Sequence, residues 1–406
     1  GLREVPRGQA PVSHLRRAMG RYPTSLLGIC LTLIGVSLLV LGSASLAPDG
    51  HLMGYMKRQV IWASAGLGVF FVLSLLPYDR ITRKALPIYL LGLFALAMVF
   101  VIGTKVNGAR RWFSLGSIRV QPSEFMKYAL ILTLAHALAL QGPRIKTWRG
   151  LATIGAIAGV PFLMVASQPD LGTSLTFVPI TLAMVIVAGA RWRHLLTLAG
   201  AGLAMLPVVW TFLLRGYQKD RILSFLSPKA NELEGAYQTT QSVIAIGNGG
   251  LAGQGYRQGT QGPLGFLPER HTDFIYAVVC EDFGFIGGVL LLGLYGFLFC
   301  ALAKIARGCR DTEGRLLVTG VLAVVIMQVS VNVGMALGVA PVTGLTLPLV
   351  SYGGSSLVAV MIGFGLAASV ASTRVMIWTP ADSGSEGPKT RKGSGRLPFP
   401  LLQKAA

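Results

Sequence analysis

The chain is short of charge, and above all of negative charge. Of its 406 residues only 13% are charged, and 16 Asp and Glu stand against 36 Lys and Arg. So little charge beside 52% hydrophobic residues excludes an ordinary soluble domain. Cysteine is scarce as well. Cys30, Cys280, Cys300 and Cys309 fall in apolar runs or in a short basic loop, without metal-ligand spacing, which argues against a disulfide framework and a zinc site. The five histidines are equally scattered. The glycine-rich stretch from Gly247 to Gly259 has neither a strand before it nor a Gly-Lys-Ser/Thr after it, so a flexible loop is expected there rather than a phosphate-cradling P-loop.

What the chain has instead is long apolar runs. Ten of them, at approximately 25–47, 59–77, 85–103, 122–140, 151–167, 171–190, 195–214, 274–303, 316–338 and 353–373, come near the roughly 20 residues a helix needs to cross about 30 Å of hydrocarbon. The expected fold is an all-α polytopic membrane protein of about ten transmembrane helices, with a long extracytoplasmic loop between the seventh and eighth. The membrane domain is expected over 25–375, after a basic cytoplasmic tail, 1–24. A cytoplasmic tail at 376–406, rich in Pro, Gly, Ser and Lys, is expected to be disordered. The run from Ser25 to Ala47 is long enough to span and lacks an Ala-x-Ala exit, so it reads as a first span rather than a cleaved leader.

The net charge of +20 does not call for nucleic acid. The cations sit in loops beside spans, nearly two thirds of them on the side that holds both termini, which the positive-inside rule makes cytoplasmic. The remaining cations gather in two outer segments, 104–121 (Lys105, Arg110, Arg111, Arg119) and 215–273 (Arg270 among them). Glu124, Asp170, Asp273, Glu281 and Asp282 lie at or just inside the same outer boundary, so chemistry is expected there. The outer loop 215–273 is too long for a mere connection; an interfacial amphipathic helix from about Ala236 to Ile246, then a glycine-rich turn, is expected within it.

Asp273 stands at the mouth of the eighth span. A carboxylate is costly there unless it lines a wet cavity or has a partner, which makes it the leading site candidate. Arg270 lies three residues earlier and would pair with it in a continuous helix, whose onset near Pro268 is plausible. In Gln121-Pro-Ser-Glu-Phe-Met-Lys127 the Glu124 and Lys127 side chains share a helix face, and the expected ion pair either fixes the helix end or serves a site. Arg110 and Arg111 precede Trp112-Phe113 at the interface, where Trp is an ordinary belt residue and arginines can grip phosphate. Asp170 reads first as the cap of the following helix. The segment from Pro341 to Ser356 is broken by prolines and glycines at membrane depth, where irregular backbone is tolerated only against protein or a water-filled cavity.

Six ordered stretches, GARRWFSLG, QPSEFMK, QPDLGT, YQTTQSVIAIGNGG, FLPERHTDF and PLVSYGGSS, resemble the SEDS family of shape, elongation, division and sporulation proteins, and within it the RodA type most. The resemblance covers roughly 25–375. It implies a peptidoglycan glycosyltransferase that polymerises lipid II during cell elongation in the bacterial cytoplasmic membrane, partnered by a class B penicillin-binding protein transpeptidase. It places the essential Asp on Asp273, the acid and base of the fourth helix on Glu124 and Lys127, and the Arg of the Arg-Trp motif on Arg111. Arg110, Arg270, His271 and Ser351 complete the candidate substrate-binding set. Glu281-Asp282 stands where many members have Glu-Glu. The sequence leaves open whether a divalent cation assists the diphosphate; the outer acids offer the oxygen ligands that Mg²⁺ or Mn²⁺ prefers, without a ligand-spacing motif. A flippase for the same lipid-linked substrate would need a similar polar cavity, and is the competing expectation.

Overall fold

The computed structural model describes residues 23–45, 54–106, 109–116, 118–213, 216–226, 234–261 and 266–377. The expected tails, 1–24 and 376–406, lie outside the described residues except for positions 23–24 and 376–377. Helices α1 Thr24–Ala44, α2 Tyr55–Leu75, the short α3 Tyr78–Thr82, α4 Ala85–Ile102, α5 Pro122–Gln141, α6 Trp148–Ser167, α7 Leu171–Val187, α8 Trp192–Val208, α9 Gly216–Leu226, α10 Glu234–Gly249, α11 Ile275–Gly308, α12 Thr312–Ala336 and α13 Gly354–Ile377 follow in order. Among the described residues nine helical stretches are long and apolar enough to cross a membrane, and α7 is a shorter apolar helix. Together they coincide with the ten expected spans, and the protein is an all-helical polytopic membrane protein. α10 covers the helix expected near 236–246.

The ends of these helices follow from local chemistry. Pro122 opens α5, where its missing N–H costs nothing, and Glu124 lies in the first turn beside the positive end of the helix dipole. The Thr147, Asp170 and Asp311 side chains accept from the amides of Gly150, Thr173 and Gly314, capping α6, α7 and α12. Pro207 leaves a gap in the α8 ladder, and the helix widens into a π turn over Val209–Leu213. α2 packs along α13, α4 on α5, and α12 against α5, α7 and α11. α5, α12 and α13 are the most enclosed spans, whereas α8 buries only Leu195.

Three features depart from plain helical hairpins. First, the chain between α4 and α5 carries a small antiparallel sheet, β1 Thr104–Val106, β2 Ala109–Leu115 and β3 Ile118–Val120, with Thr104 opposite Trp112 and Phe113 opposite Val120. Aromatic and β-branched residues suit a half-buried strand, and Gly116, at φ 62°, supplies the left-handed turn residue.

Second, α11 is broken at Gly284, whose φ of 68° and ψ of −166° are open essentially to glycine alone. Third, the chain between α12 and α13 is irregular inside the bundle, and side chains from four helices satisfy it. Asn332 donates to the Leu345 carbonyl at 2.7 Å, Tyr295 to Pro348 at 2.6 Å, Ser37 to Val350 at 2.8 Å and Gln59 to Ser351 at 3.2 Å. Buried backbone polar groups need such partners where no water reaches them.

At Gly284 an added Cβ would lie 2.4 Å from the Gly253 nitrogen and the Leu251 oxygen. Gly284→Ala is therefore expected to destabilise the detergent-solubilised protein by about 3 kcal/mol or more, from backbone strain plus the clash. A thermal unfolding midpoint unchanged from wild type would contradict this account of the break.

Candidate active site

Asp273 lies in a run of turns, 267–274, rather than in the continuous helix that would have paired it with Arg270 by spacing. Glu269 has φ 50°, which interrupts any helical run, and α11 starts only at Ile275. The segment is pinned from several directions. Asn332 donates to the Asp273 carbonyl at 2.8 Å and bridges it to Leu345. Ser351 donates to the Thr272 carbonyl at 2.5 Å, and the Tyr352 amide to the His271 carbonyl at 2.9 Å. The Asp273 carboxylate is partly exposed and looks onto Gly344, where even a Cβ would sit 3.5 Å from Oδ2. Gly344, at φ 75°, thus serves both the turn and the space before the acid.

Arg270 is 5% exposed and donates from Nε to the Ala44 carbonyl, at the end of α1, over 2.8 Å. Burial lowers its pKa, and the charges of Tyr55 and Glu281 partly offset this. His271 stacks on Tyr55 with ring centroids 4.2 Å apart, and Tyr352 meets Tyr55 edge-on. Burial holds the His271 pKa below its ordinary value; Glu269 opposes the shift and Arg270 adds to it. Ser351 is 4% exposed, and its hydroxyl accepts the Leu347 amide as well as donating to Thr272, so it serves the loop's own folding.

The second group of charges surrounds the start of α5. Lys127, fully buried, reaches both carboxylate oxygens of Glu124 at 2.8 Å, the pair expected from the i, i+3 spacing. Arg111 donates to the carbonyls of Gln168 and Pro169 and lies 3.8 Å from the Asp170 carboxylate. Gln121 donates to the other Asp170 oxygen at 2.9 Å. Arg110 is exposed and reaches the Phe100 carbonyl. Asp170 is therefore a cap and also the hub joining Arg111 to the α5 entrance.

The irregular chain before α13 ties the two groups together. Gly172, at the start of α7, packs against the Thr343 backbone, next to the Gly344 that faces Asp273. Ser355 accepts the Gln121 amide at 3.2 Å and donates to the Arg119 carbonyl at 3.1 Å. Sequence reasoning passed over Asn332, Gln121, Tyr55 and Gly344. Asn332 left a signal, an amide within an apolar span; the others become legible only once the loop is placed. Among the described residues no three His, Cys, Asp or Glu side chains gather as metal ligands.

Ten apolar helices with their buried charges gathered around one irregular loop define a polytopic membrane protein with a polar site inside the bundle. The FtsW/RodA/SpoVE family of cell cycle proteins matches residues 24–375, and the chain belongs to that family, the SEDS proteins. It is 39% identical over 357 residues to the peptidoglycan glycosyltransferase MrdB of Escherichia coli K12, covering 87% of this chain and 94% of that protein. Of solved structures, one on the structural coordination of polymerization and crosslinking by a peptidoglycan synthase complex aligns with a TM-score of 0.75 at 36% identity, over 87% of this chain and 98% of the other. The rod shape determining protein RodA of Thermus thermophilus aligns at 0.65 and 34% identity, over 87% and 97%. The RodA-like resemblance read from the six motifs holds.

Two outcomes follow from this geometry. Lys127→Met leaves Glu124 buried without its cation and is expected to cost about 3–5 kcal/mol of stability, while adding Glu124→Gln recovers most of it; thermal unfolding of the three variants measures both. Because the folded-state pKa of His271 lies below the unfolded 6.5, the unfolded chain takes up the proton first as pH falls. Stability is expected to decline as pH drops below about 6.5 towards the folded value, and His271→Gln should flatten that part of the pH–stability curve.

Proposed function

We infer that the chain is a peptidoglycan glycosyltransferase that polymerises lipid II into glycan strands for cell elongation. The identity to MrdB over nearly its whole length supports the activity. The observation that carries the mechanism is the setting of Asp273: a partly exposed carboxylate whose segment is fixed by its backbone to α12 and to the irregular loop and which faces Gly344.

Glycan extension from an α-linked lipid diphosphate to a β-1,4 linkage inverts the anomeric carbon. The acceptor 4-hydroxyl oxygen bonds to that carbon as the bond to the diphosphate oxygen breaks. One proton leaves the hydroxyl, and one anion leaves the donor. A single general base takes the proton, and Asp273 has that role. The leaving diphosphate is a good leaving group whose growing charge needs cations rather than a protonated acid. The matched carboxyl pair of glycoside hydrolysis is therefore not required.

Arg111, Lys127 and Arg270 are the groups assigned to the diphosphate and to orienting it, with Arg110 at the margin. The first three already have partners, Asp170, Glu124 and the Ala44 carbonyl, so their charges are held in place before substrate arrives. Glu124 keeps Lys127 from carrying an unbalanced buried charge. His271, in its aromatic stack with Tyr55, lies two residues from the base. A Mg²⁺ or Mn²⁺ ion enters this reading only as a companion of the diphosphate, and the base step does not pass through it.

The excess of cations on the side of both termini supports a protein of the bacterial cytoplasmic membrane with both termini cytoplasmic and Asp273 on the outer side, where flipped lipid II is presented. The peptidoglycan synthase complex to which it is structurally similar supports a class B penicillin-binding protein as its partner.

Asp273→Asn removes the base and keeps the volume. Polymerisation of lipid II by the purified protein with its partner is expected to fall by about 10²–10⁴-fold, with lipid II binding retained. Wild-type protein that moves lipid II across vesicles yet makes no glycan would overturn this reading in favour of a flippase.

A further inference from the structure

The glycine-rich stretch that reads as a flexible turn is stitched to the break in α11. The amides of Gln254 and Gly255 donate to the carbonyls of Glu281 and Asp282 at 2.9 and 3.1 Å. In return, the amides of Phe285 and Ile286 donate to the carbonyls of Gly250 and Leu251 at 2.9 and 3.2 Å. The non-helical Gly284 makes this exchange possible, because a continuous helix would consume those groups internally.

The Glu281 side chain adds a second fastening. It is 1% exposed, and its Oε1 accepts the backbone amides of Thr260 and Gln261 at 2.6 and 2.7 Å. Gly259 is pressed onto it so closely that a Cβ would lie 2.8 Å from its Cδ and Oε2. Amides converging on one ionised oxygen form an anion nest, and bonds to a charged acceptor are roughly twice as strong as neutral ones. An acid this deep in a membrane helix is expensive, so its presence calls for a specific task. Direct chemistry is not that task, because the carboxylate is covered by Gly259 and engaged by the loop.

The fastening leads to the base. The Leu267 amide donates to the Gln261 carbonyl at 3.2 Å, which joins the anchored loop to the start of the turn segment that carries Asp273. We propose that Glu281 is a positioning residue: its carboxylate anchors loop 249–261 to α11 and, through Gln261 and its bond to Leu267, sets the place of the Asp273 segment. The proposal rests on Asp273 being the base.

The test uses the full chain with its transpeptidase partner and two substitutions of similar volume. Glu281→Gln keeps an acceptor oxygen for the two amides, whereas Glu281→Leu removes it and leaves an apolar side chain that the membrane bundle accommodates. Two measurements are made on each: hydrogen exchange along the chain, and kcat and KM for lipid II polymerisation. In Glu281→Leu, protection is expected to fall over 255–261 and 266–274 but not in the other spans. The same variant should lose about 10²-fold in kcat, the cost of displacing a base by about 1 Å, with KM within about 3-fold of wild type. Glu281→Gln should retain at least about a tenth of the wild-type kcat.

Wild-type turnover by Glu281→Leu, a loss confined to KM, or exchange that rises over 255–261 without reaching 266–274 would each overturn the proposal. The exchange pattern reads the latch without catalysis, so an active Asp273→Asn variant would remove the base assignment while leaving the coupling of loop to turn segment separately measured.

Discussion

A polypeptide that leaves helical geometry inside a membrane bundle must find a partner for every amide and carbonyl it frees, and the chain between α12 and α13 is governed by that constraint. Four helices send a hydroxyl or an amide into it: Ser37 from α1, Gln59 from α2, Tyr295 from α11 and Asn332 from α12. Each such bond is worth only about 1 kcal/mol net, whereas an abandoned buried carbonyl costs about 1–3 kcal/mol. The satisfied loop is thus less a source of stability than a structure that tolerates few alternatives. Its rigidity is passed on, because Asn332 and Ser351 bind the loop and the Asp273 segment at once.

The charges obey the same logic at higher cost. Isolated, a buried ammonium or carboxylate loses several kcal/mol of hydration. Lys127 and Glu124 offset this with two short contacts one helical turn apart, and Arg111 does so with two carbonyls and Asp170. Replacing such groups by apolar ones would often stabilise a bundle. Their presence at one end of this one, beside an acid left partly exposed, is the pattern expected where binding of a charged substrate outweighs stability. The Asp273 segment is held through its backbone, and its carboxylate faces the small residue Gly344.

Much of this was legible in the sequence, for reasons of range. Spans are read from about twenty consecutive residues; among the described residues nine of the ten expected runs form helices long enough to span, and the tenth is the shorter apolar α7. The Glu124–Lys127 pair and the Asp170 cap depend on spacings of three residues within one helix, and both formed. The strands around Trp112 were missed because one seven-residue strand flanked by two of three residues, beside a membrane, leaves almost no periodic signal. The Arg270–Asp273 argument assumed a helix that Glu269 interrupts. The flexible reading of Gly247 to Gly259 failed for a different reason. Its fastenings lie on α11, twenty residues and more along the chain, and no local rule reports them.

Backbone strain gathers in the same places. Arg257, Glu269 and Leu349 are non-glycine residues at φ between 50° and 65°, in the anchored loop, in the segment before Asp273 and in the irregular chain before α13. Conformations of this kind cost on the order of 1–3 kcal/mol each and persist only where the surroundings over-determine them. Here the surroundings do so: the loop is held by Glu281 and by its exchange with the broken helix, the turn segment by Asn332 and Ser351, and the irregular chain by four helices. The regular spans carry none of these outliers and supply the burial that offsets them. Stability is therefore generated in the helical body and expended at the Asp273 end, where an acid must be kept in a fixed place without being enclosed.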